Sequence, residues 1–246
     1  KKDPNRDEQF QYINKTVKKF EKNRQPVISV DTKKKELVGE YKNEGREWHK
    51  KHNGIEVNSH DFPDPKVSKA IPYGIYDIGN NSGWVNVGIT SDTAEFAVSS
   101  IRHWWQYIGS RRYPHSKKLL ICADAGGSNG YRLRLWKKEL QKFADPRGIE
   151  IVVSHFPPGT SKWNKIEHRL FSFISINWRG KPLTSYQVII NLIKSTKTKA
   201  GLVVKARLDK KYYMKGKKVT DYEMKNLKIV KNSFHGEWNY TIKPRK

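Results

Sequence analysis

Three acidic residues stand where they could share a cation. Asp31 closes the run VISVD (27–31), Asp124 closes KKLLICAD (117–124), and Glu167 lies in KWNKIEHRLFSFISINW (162–178). Carboxylates gathered without partners repel one another. A hard divalent cation relieves that repulsion, because magnesium takes carboxylate oxygens and keeps several of its waters. Two such ions about 3.5–4 Å apart can activate an attacking oxygen and stabilise a leaving one in phosphoryl transfer. Each acid alone has a plainer reading. Asp124 suits a cap or turn. Asp31, ahead of TKKK, suits a surface ion pair, and Glu167 suits the exposed side of a helix. The grouping gains weight because the three lie on separate elements that one topology would bring together.

Neighbouring residues extend the candidate site. Asn164 precedes Glu167 by three positions and shares its helix face; it could orient substrate or a water, or serve as a cap. His168 and Arg169 point elsewhere, toward phosphates or solvent. GGSNGYR (126–132) puts Ser128 and Asn129 at an expected helix start. Backbone N–H groups there could hold a phosphate, or the segment is an ordinary strand–helix turn. It lacks the lysine and spacing of a phosphate-binding Walker loop. His60 and Asp61 have no partner at ligand spacing and read as loop. Trp104, Trp105 and Trp163 read as core. Trp48, among Lys and Arg, is the better platform for stacking unpaired bases.

The elements that must position these residues follow from periodicity. Phe10, Ile13, Val17 and Phe20 repeat at helical spacing over residues 7–22, and Pro26 stops that helix. VISVD is a short buried strand. Residues 32–69 read as a polar excursion with a short strand near Leu37–Tyr41. IPYGIYDI (71–78) and GWVNVGI (83–89) are strands joined by hairpin chemistry, since Asn and Gly tolerate positive φ. Then come a helix over 93–108, a strand over 117–124, a helix over 131–144, a strand over 149–156 and a helix over 162–178. Strands separated by helices imply parallel crossovers, and the hairpin adds antiparallel strands. The expected fold is α/β, an RNase H-like mixed five-stranded sheet flanked by helices. In domain terms, 1–25 forms an amphipathic linker helix, 26–182 the core, and 183–246 a basic C-terminal extension. The extension holds a helix over 185–195, a strand over 202–208, and a short helix after Thr220 with Glu223 at the capping-box position.

Charge identifies the partner class. The 246 residues carry 49 Lys and Arg against 24 Asp and Glu, a formal net charge of +25. A folded domain with that self-repulsion gains from a polyanion, and each phosphate neutralised also releases counterions. Eight Trp, 12 Tyr and 9 Phe argue for a real core and against disorder. A single cysteine, Cys122, excludes an internal disulfide and a cysteine-based zinc finger. No apolar run approaches the roughly 18 residues of a membrane span, and no signal peptide opens the chain. A cytoplasmic, nucleoid-associated bacterial protein is expected. Because the sequence opens on Lys1, a longer parent protein is also expected.

These residues resemble a known family. RDEQFQYI, PVISVDTKKKELVGEYKNEGREW, HDFP, KAIPYGIYDIGNNSGWVNVGI, DTAEFAVSSIRHWW, CADAGGSNGYRLRLWKKELQKFA, HFPPGTSKWNKIEHRLFSFISINWRGKPLTS and FHGEWNYTI are similar to ISAzo-type, or Rhodopirellula-type, insertion-sequence DDE transposases. These are distant relatives of the mariner group. The resemblance covers nearly the whole chain. It implies an RNase H-like core and a DDE triad falling on Asp31, Asp124 and Glu167. It also implies two Mg2+ or Mn2+ ions, double-stranded DNA as substrate, cleavage at element ends and strand transfer. In that scheme Asp31 bridges the ions, Asp124 holds one and Glu167 the other, and two copies act as a dimer in the synaptic complex. Family members carry a helix-turn-helix region ahead of this core, which this sequence lacks. Two rivals stay open: a domesticated, non-catalytic DNA-binding protein, and an RNase H-like structure-specific nuclease without strand transfer.

Overall fold

A computed structural model describes residues 4–59 and 67–245. His60 and Asp61 lie outside the described residues. In chain order the elements are α1 (Arg6–Lys22), β1 (Val27–Thr32), β2 (Glu36–Leu37), β3 (Lys69–Asp77) and β4 (Ser82–Gly88). Next is α2 (Ala94–Trp104), which passes through a π-helical segment, Trp105–Gly109, into α3 (Ser110–Arg112). Then follow β5 (Lys118–Ala123), α4 (Arg134–Ala144), β6 (Glu150–His155), α5 (Ser172–Asn177) and α6 (Tyr186–Lys194). The chain closes with β7 (Val203–Asp209), α7 (Asp221–Lys225), β8 (Ile229–Lys231) and β9 (Asn239–Ile242).

The strands form one mixed sheet in the order β7-β4-β3-β1-β5-β6-β9-β8, with β2 paired to β3. β1 runs parallel to β5, and β5 parallel to β6, while β3 and β4 are antiparallel neighbours. The five expected strands are the centre of this RNase H-like sheet, but the sheet is nine-stranded rather than five-stranded. β7 adds a parallel strand beside β4, and β9 with β8 adds an antiparallel pair beside β6. The basic C-terminal stretch therefore completes both edges of the sheet.

Alternation along the strands sorts side chains onto two faces. Ile28, Val30, Tyr73, Ile75, Leu119, Ile121, Ile151 and Val153 pack with α2 and α4 on one face. On the other, Val85 and Val87 pack with Ile166, Leu170, Phe171 and Ile174, while Leu120 and Cys122 pack with Ile13, Val17 and Phe20 of α1. Two expected turns take the required chemistry. Asn81, at the β3–β4 hairpin, has φ +46°, and Thr220 with Glu223 forms a capping box on α7.

Two helix expectations need correction. α4 begins at Arg134, three residues later than expected, because Gly127–Asn129 forms its own 3-10 turn. The expected helix over 162–178 is interrupted: Ser161–Trp163 is a 3-10 turn, Asn164 is extended (φ −65°, ψ 125°), and Glu167–Phe171 is a π-helical turn leading into α5. The break turns Trp163 out of the stripe formed by Ile166, Leu170 and Ile174. Trp163 is 52% exposed, not core as expected, with only its edge near Phe10. Trp104 and Trp105 are core.

One glycine sets how closely the Glu167 segment approaches the sheet. Gly74 is the β3 partner of Asp31, and a Cβ there would lie 2.4 Å from the Phe171 ring and 2.9 Å from Ile166. Overpacking of this kind costs about 1–3 kcal/mol. Gly74→Ala should lower the urea midpoint accordingly and push Glu167 away from Asp31. An unchanged midpoint would show that the helix yields freely.

Candidate active site

β1 and β5 bring the first two acids together. Val30 is the parallel partner of Ala123, so Asp31 and Asp124 leave adjacent strand ends side by side. The Asp31 carboxylate accepts from the Thr32 N–H at 2.7 Å. Asp124 accepts from the Asn164 side-chain amide at 3.1 Å and shares a hydrogen bond with Asp31, which requires one proton between two carboxyls. Glu167 arrives from the opposite flank in the first turn of its helical segment, its N–H donating to the Asn164 carbonyl at 3.1 Å.

The electrostatics show a site short of positive charge. Burial, reinforced by the charge of Asp124, pushes the Asp31 pKa up to about 8. Burial also raises Asp124. Glu167 is raised by burial and then by Asp124, opposed by Lys33 and His168. Lys33 is nearly buried; its ammonium lies 3.0 Å from Glu36 and 4.4 Å from the centre of the Trp178 ring. Among the described residues no three His, Cys, Asp or Glu side chains form a ready-made single-ion site. An open arrangement of carboxylates suits magnesium, which is commonly held by one or two carboxylates with water and substrate oxygens completing its octahedron.

Asn164 is the hub of the buried layer. It is fully buried, and its amide donates to Asp124 and to the Val30 carbonyl at 3.2 Å. Its oxygen accepts from the Ser29 hydroxyl. Ser29 in turn accepts from the Ile166 N–H at 3.1 Å. Asn164 therefore stitches β1, β5 and the Glu167 segment together. This is a different geometry from the shared helix face expected of Asn164 and Glu167, because Asn164 precedes the helix.

The other expected contacts divide. Ser128 and Asn129 are buried on the 3-10 turn rather than at a helix start. Ser128 lies 3.3 Å from the Thr32 hydroxyl, and Asn129 donates to the Asp124 carbonyl at 3.4 Å. Arg169 is exposed, and its charge acts on Tyr76. Trp48 is 100% exposed on the excursion. That excursion is tied down near the site: Asn43 donates to the Trp178 carbonyl at 3.1 Å, and Gly180 donates to the Glu44 carbonyl at 2.8 Å.

Sequence reasoning missed Lys33, Asp92, Ser29 and His155. His155 ends β6, fully buried. Its Nδ1 donates to the Asp124 carbonyl at 2.9 Å, and its Nε2 accepts from the Tyr240 hydroxyl at 3.1 Å. Burial holds its pKa down, from 6.5 to about 4. An unfolded chain takes up this proton first, so the stability His155 contributes is complete above pH 6.5 and declines as pH falls toward 4. Linkage gives a loss of about 2 kcal/mol between pH 7 and pH 5. Urea midpoints at both pH values should show this loss in the wild type and not in His155→Gln. An equal pH response in both proteins would contradict it.

A mixed sheet whose adjacent parallel strands end in acids, with a third acid on the flanking helix, defines an RNase H-like domain built around carboxylates. The chain belongs to the Rhodopirellula transposase DDE domain family, whose sequence model matches residues 1–244. Solved structures similar to it include the Mos1 transposase paired-end complex with left transposon end, at 11% identity and TM-score 0.46, covering 72% of this chain and 49% of that one. The Mos1 mariner paired-end complex with Mn is similar at 12% identity and TM-score 0.46, covering 77% and 53%. A pre-cleavage Mos1 transpososome is similar at 10% identity and TM-score 0.47, covering 75% and 52%. The chain thus spans about half the length of these relatives. No curated protein matches it. No helix among the described residues is long and apolar enough to cross a membrane.

Proposed function

We propose that this chain is the cutting and joining domain of a DNA transposase, with Asp31, Asp124 and Glu167 as its catalytic acids. The observation that carries this reading is the convergence of three mutually repelling carboxylates, from two strand ends and one helix, within a chain of net charge +25. A merely structural set of buried acids would be matched by buried cations, and here Lys33 alone is both close and nearly buried.

The residues fit two hard divalent ions, Mg2+ or Mn2+, held by Asp31, Asp124 and Glu167. When bound, these ions supply activation of the attacking oxygen and neutralisation of the leaving one. The chain's own residues do the positioning. Thr32 fixes the Asp31 carboxylate, Asn164 fixes Asp124, and His155 fixes the backbone beneath Asp124. Beside Glu167, Lys34, Lys162, His168 and Arg179 line an open trough of about 900 Å³, wide and basic enough for a DNA backbone. Water first displaces the 3′-oxygen of a phosphodiester, leaving a 5′-phosphate and a free 3′-hydroxyl. That hydroxyl then attacks a target phosphodiester and releases a target 3′-hydroxyl, so one bond forms as one breaks. Two element ends must be held together, so two copies act as a dimer. Arg169 and Trp48, both exposed, are offered to the DNA, while Ser128 and Asn129 buttress the acids.

The test is a pre-cut duplex carrying a free 3′-hydroxyl, incubated with Mn2+ and a target plasmid. Covalently joined product is expected. Nicking without joining would instead support a nuclease, and binding with neither would support a DNA-binding protein that has lost catalysis.

A further inference from the structure

The triad does not exhaust the acids at this end of the sheet. Thr32, the last residue of β1, serves two carboxylates at once. Its N–H donates to Asp31 at 2.7 Å, and its hydroxyl donates to Asp92 at 3.1 Å. The Ser128 hydroxyl, 3.3 Å from the same Thr32 oxygen, completes the chain, because Thr32 has already given its one proton to Asp92. Asp92 lies just ahead of α2, where Thr93 already caps the helix by accepting from the Phe96 N–H at 3.2 Å. Helix capping therefore does not account for Asp92.

A second observation points into the same niche. Tyr73 is the β3 partner of Thr32. It is fully buried, and its hydroxyl has no hydrogen-bond partner. Buried hydroxyls are rarely left unpaired, since the loss amounts to roughly 1–3 kcal/mol. Asp31, Asp92 and Asp124 are all close enough for their charge to act on this phenol. It is an unused donor facing an acidic niche.

Resting on the reading of Asp31 as a metal-holding acid, we propose that Asp92 is a fourth acid of the site, and that Asp92 and the Tyr73 hydroxyl form the far wall of a divalent-cation site whose near wall is Asp31. A hydrated Mg2+ or Mn2+ presents water to such a wall, and a carboxylate and a phenol are suitable partners for it. Outer partners of this kind typically change metal affinity by about 10–100-fold when removed.

The test is Mn2+ titration of the intact chain by calorimetry, with urea midpoints measured alongside. The wild type is expected to bind two ions. Asp92→Asn should weaken one of them at least tenfold, with Asp92→Glu recovering part of the loss. Tyr73→Phe should weaken the same ion while leaving the metal-free midpoint unchanged or raised. Unaltered Mn2+ affinities in Asp92→Asn and Tyr73→Phe, in a protein that still binds two ions as wild type, would overturn the proposal and leave the transposase reading standing. Absence of Mn2+ binding by the wild type itself would count against the transposase reading, and with it this one.

Discussion

Asp31→Asn is expected to abolish DNA cleavage while making the metal-free protein more stable at alkaline pH. The activity loss follows from removing the carboxylate that stands between the other two acids; a fall of at least about a thousandfold is the scale for losing a preorganised charge at a reacting centre. The stability gain follows from the strain of ionising Asp31. Its pKa is raised to about 8 by burial and by Asp124. A carboxyl raised in this way favours the folded state while it stays protonated, and that contribution is lost as pH climbs toward and through 8. Wild-type protein stripped of metal should therefore weaken between pH 5 and pH 8.5 by on the order of a few kcal/mol. Asp31→Asn carries no such charge and should show a flatter profile. Added Mn2+ should restore the wild type at pH 8.5 and leave the variant unmoved. Thermal melts across pH, with and without Mn2+, check each part. A wild type insensitive to both pH and Mn2+ would contradict the electrostatic account.

Asn164→Leu is expected to be the most damaging substitution outside the acids. Asn164 is fully buried and makes three side-chain hydrogen bonds, to Asp124, to the Val30 carbonyl and from Ser29. Leucine fills a similar volume and leaves those groups unpaired in a dry layer, at about 1–3 kcal/mol for each unsatisfied group. Because Ser29 also accepts from the Ile166 N–H, the damage passes to the turn that presents Glu167. A stability loss of about 2–4 kcal/mol is expected, with cleavage falling about a hundredfold through misplacement of the acids. The milder Asn164→Asp keeps the shape but adds a negative charge beside Asp124. It should recover most folding at pH 5 and little activity at any pH. Full activity in Asn164→Leu would remove Asn164 from the positioning layer.

Much of this was legible in the sequence, for identifiable reasons. The runs VISVD and KKLLICAD are apolar, short and closed by an acid, so their burial and parallel neighbourhood followed from composition and from the intervening crossovers. The β3–β4 hairpin was written in NNSG, and the α7 cap in Thr220 and Glu223. The outer strands were not legible. NYTI (239–242) forms a strand because Tyr240 and Ile242 complete the α4 face of the core while Asn239 donates to Gln9 of α1 at 2.8 Å. Four residues of alternation carry too little pattern without that partner. The misplacement of Trp163 has a local cause: helical periodicity runs on through Asn164, and only the demand of Asp124, Val30 and Ser29 for that side chain breaks the helix there. Asp92 was invisible for a topological reason. TSDTAE reads as an ordinary helix start, and only the pairing of β1 with β3 reveals Thr32 reaching across to it.

The resemblance to transposases and the geometry are separate lines of support. The family match says which group of proteins the chain belongs to, and the geometry supplies the reason for three particular acids. They are the carboxylates that the sheet order forces together and that burial leaves uncompensated.

Magnesium-dependent cleavage of duplex DNA by the wild type, measured beside Asp124→Asn on the same substrate, tests the central claim most directly. Cleavage by the wild type, dependent on Mg2+ and absent from Asp124→Asn at equal DNA affinity, is the predicted result. Equal cleavage by the two proteins, or cleavage that persists in excess EDTA, would contradict it.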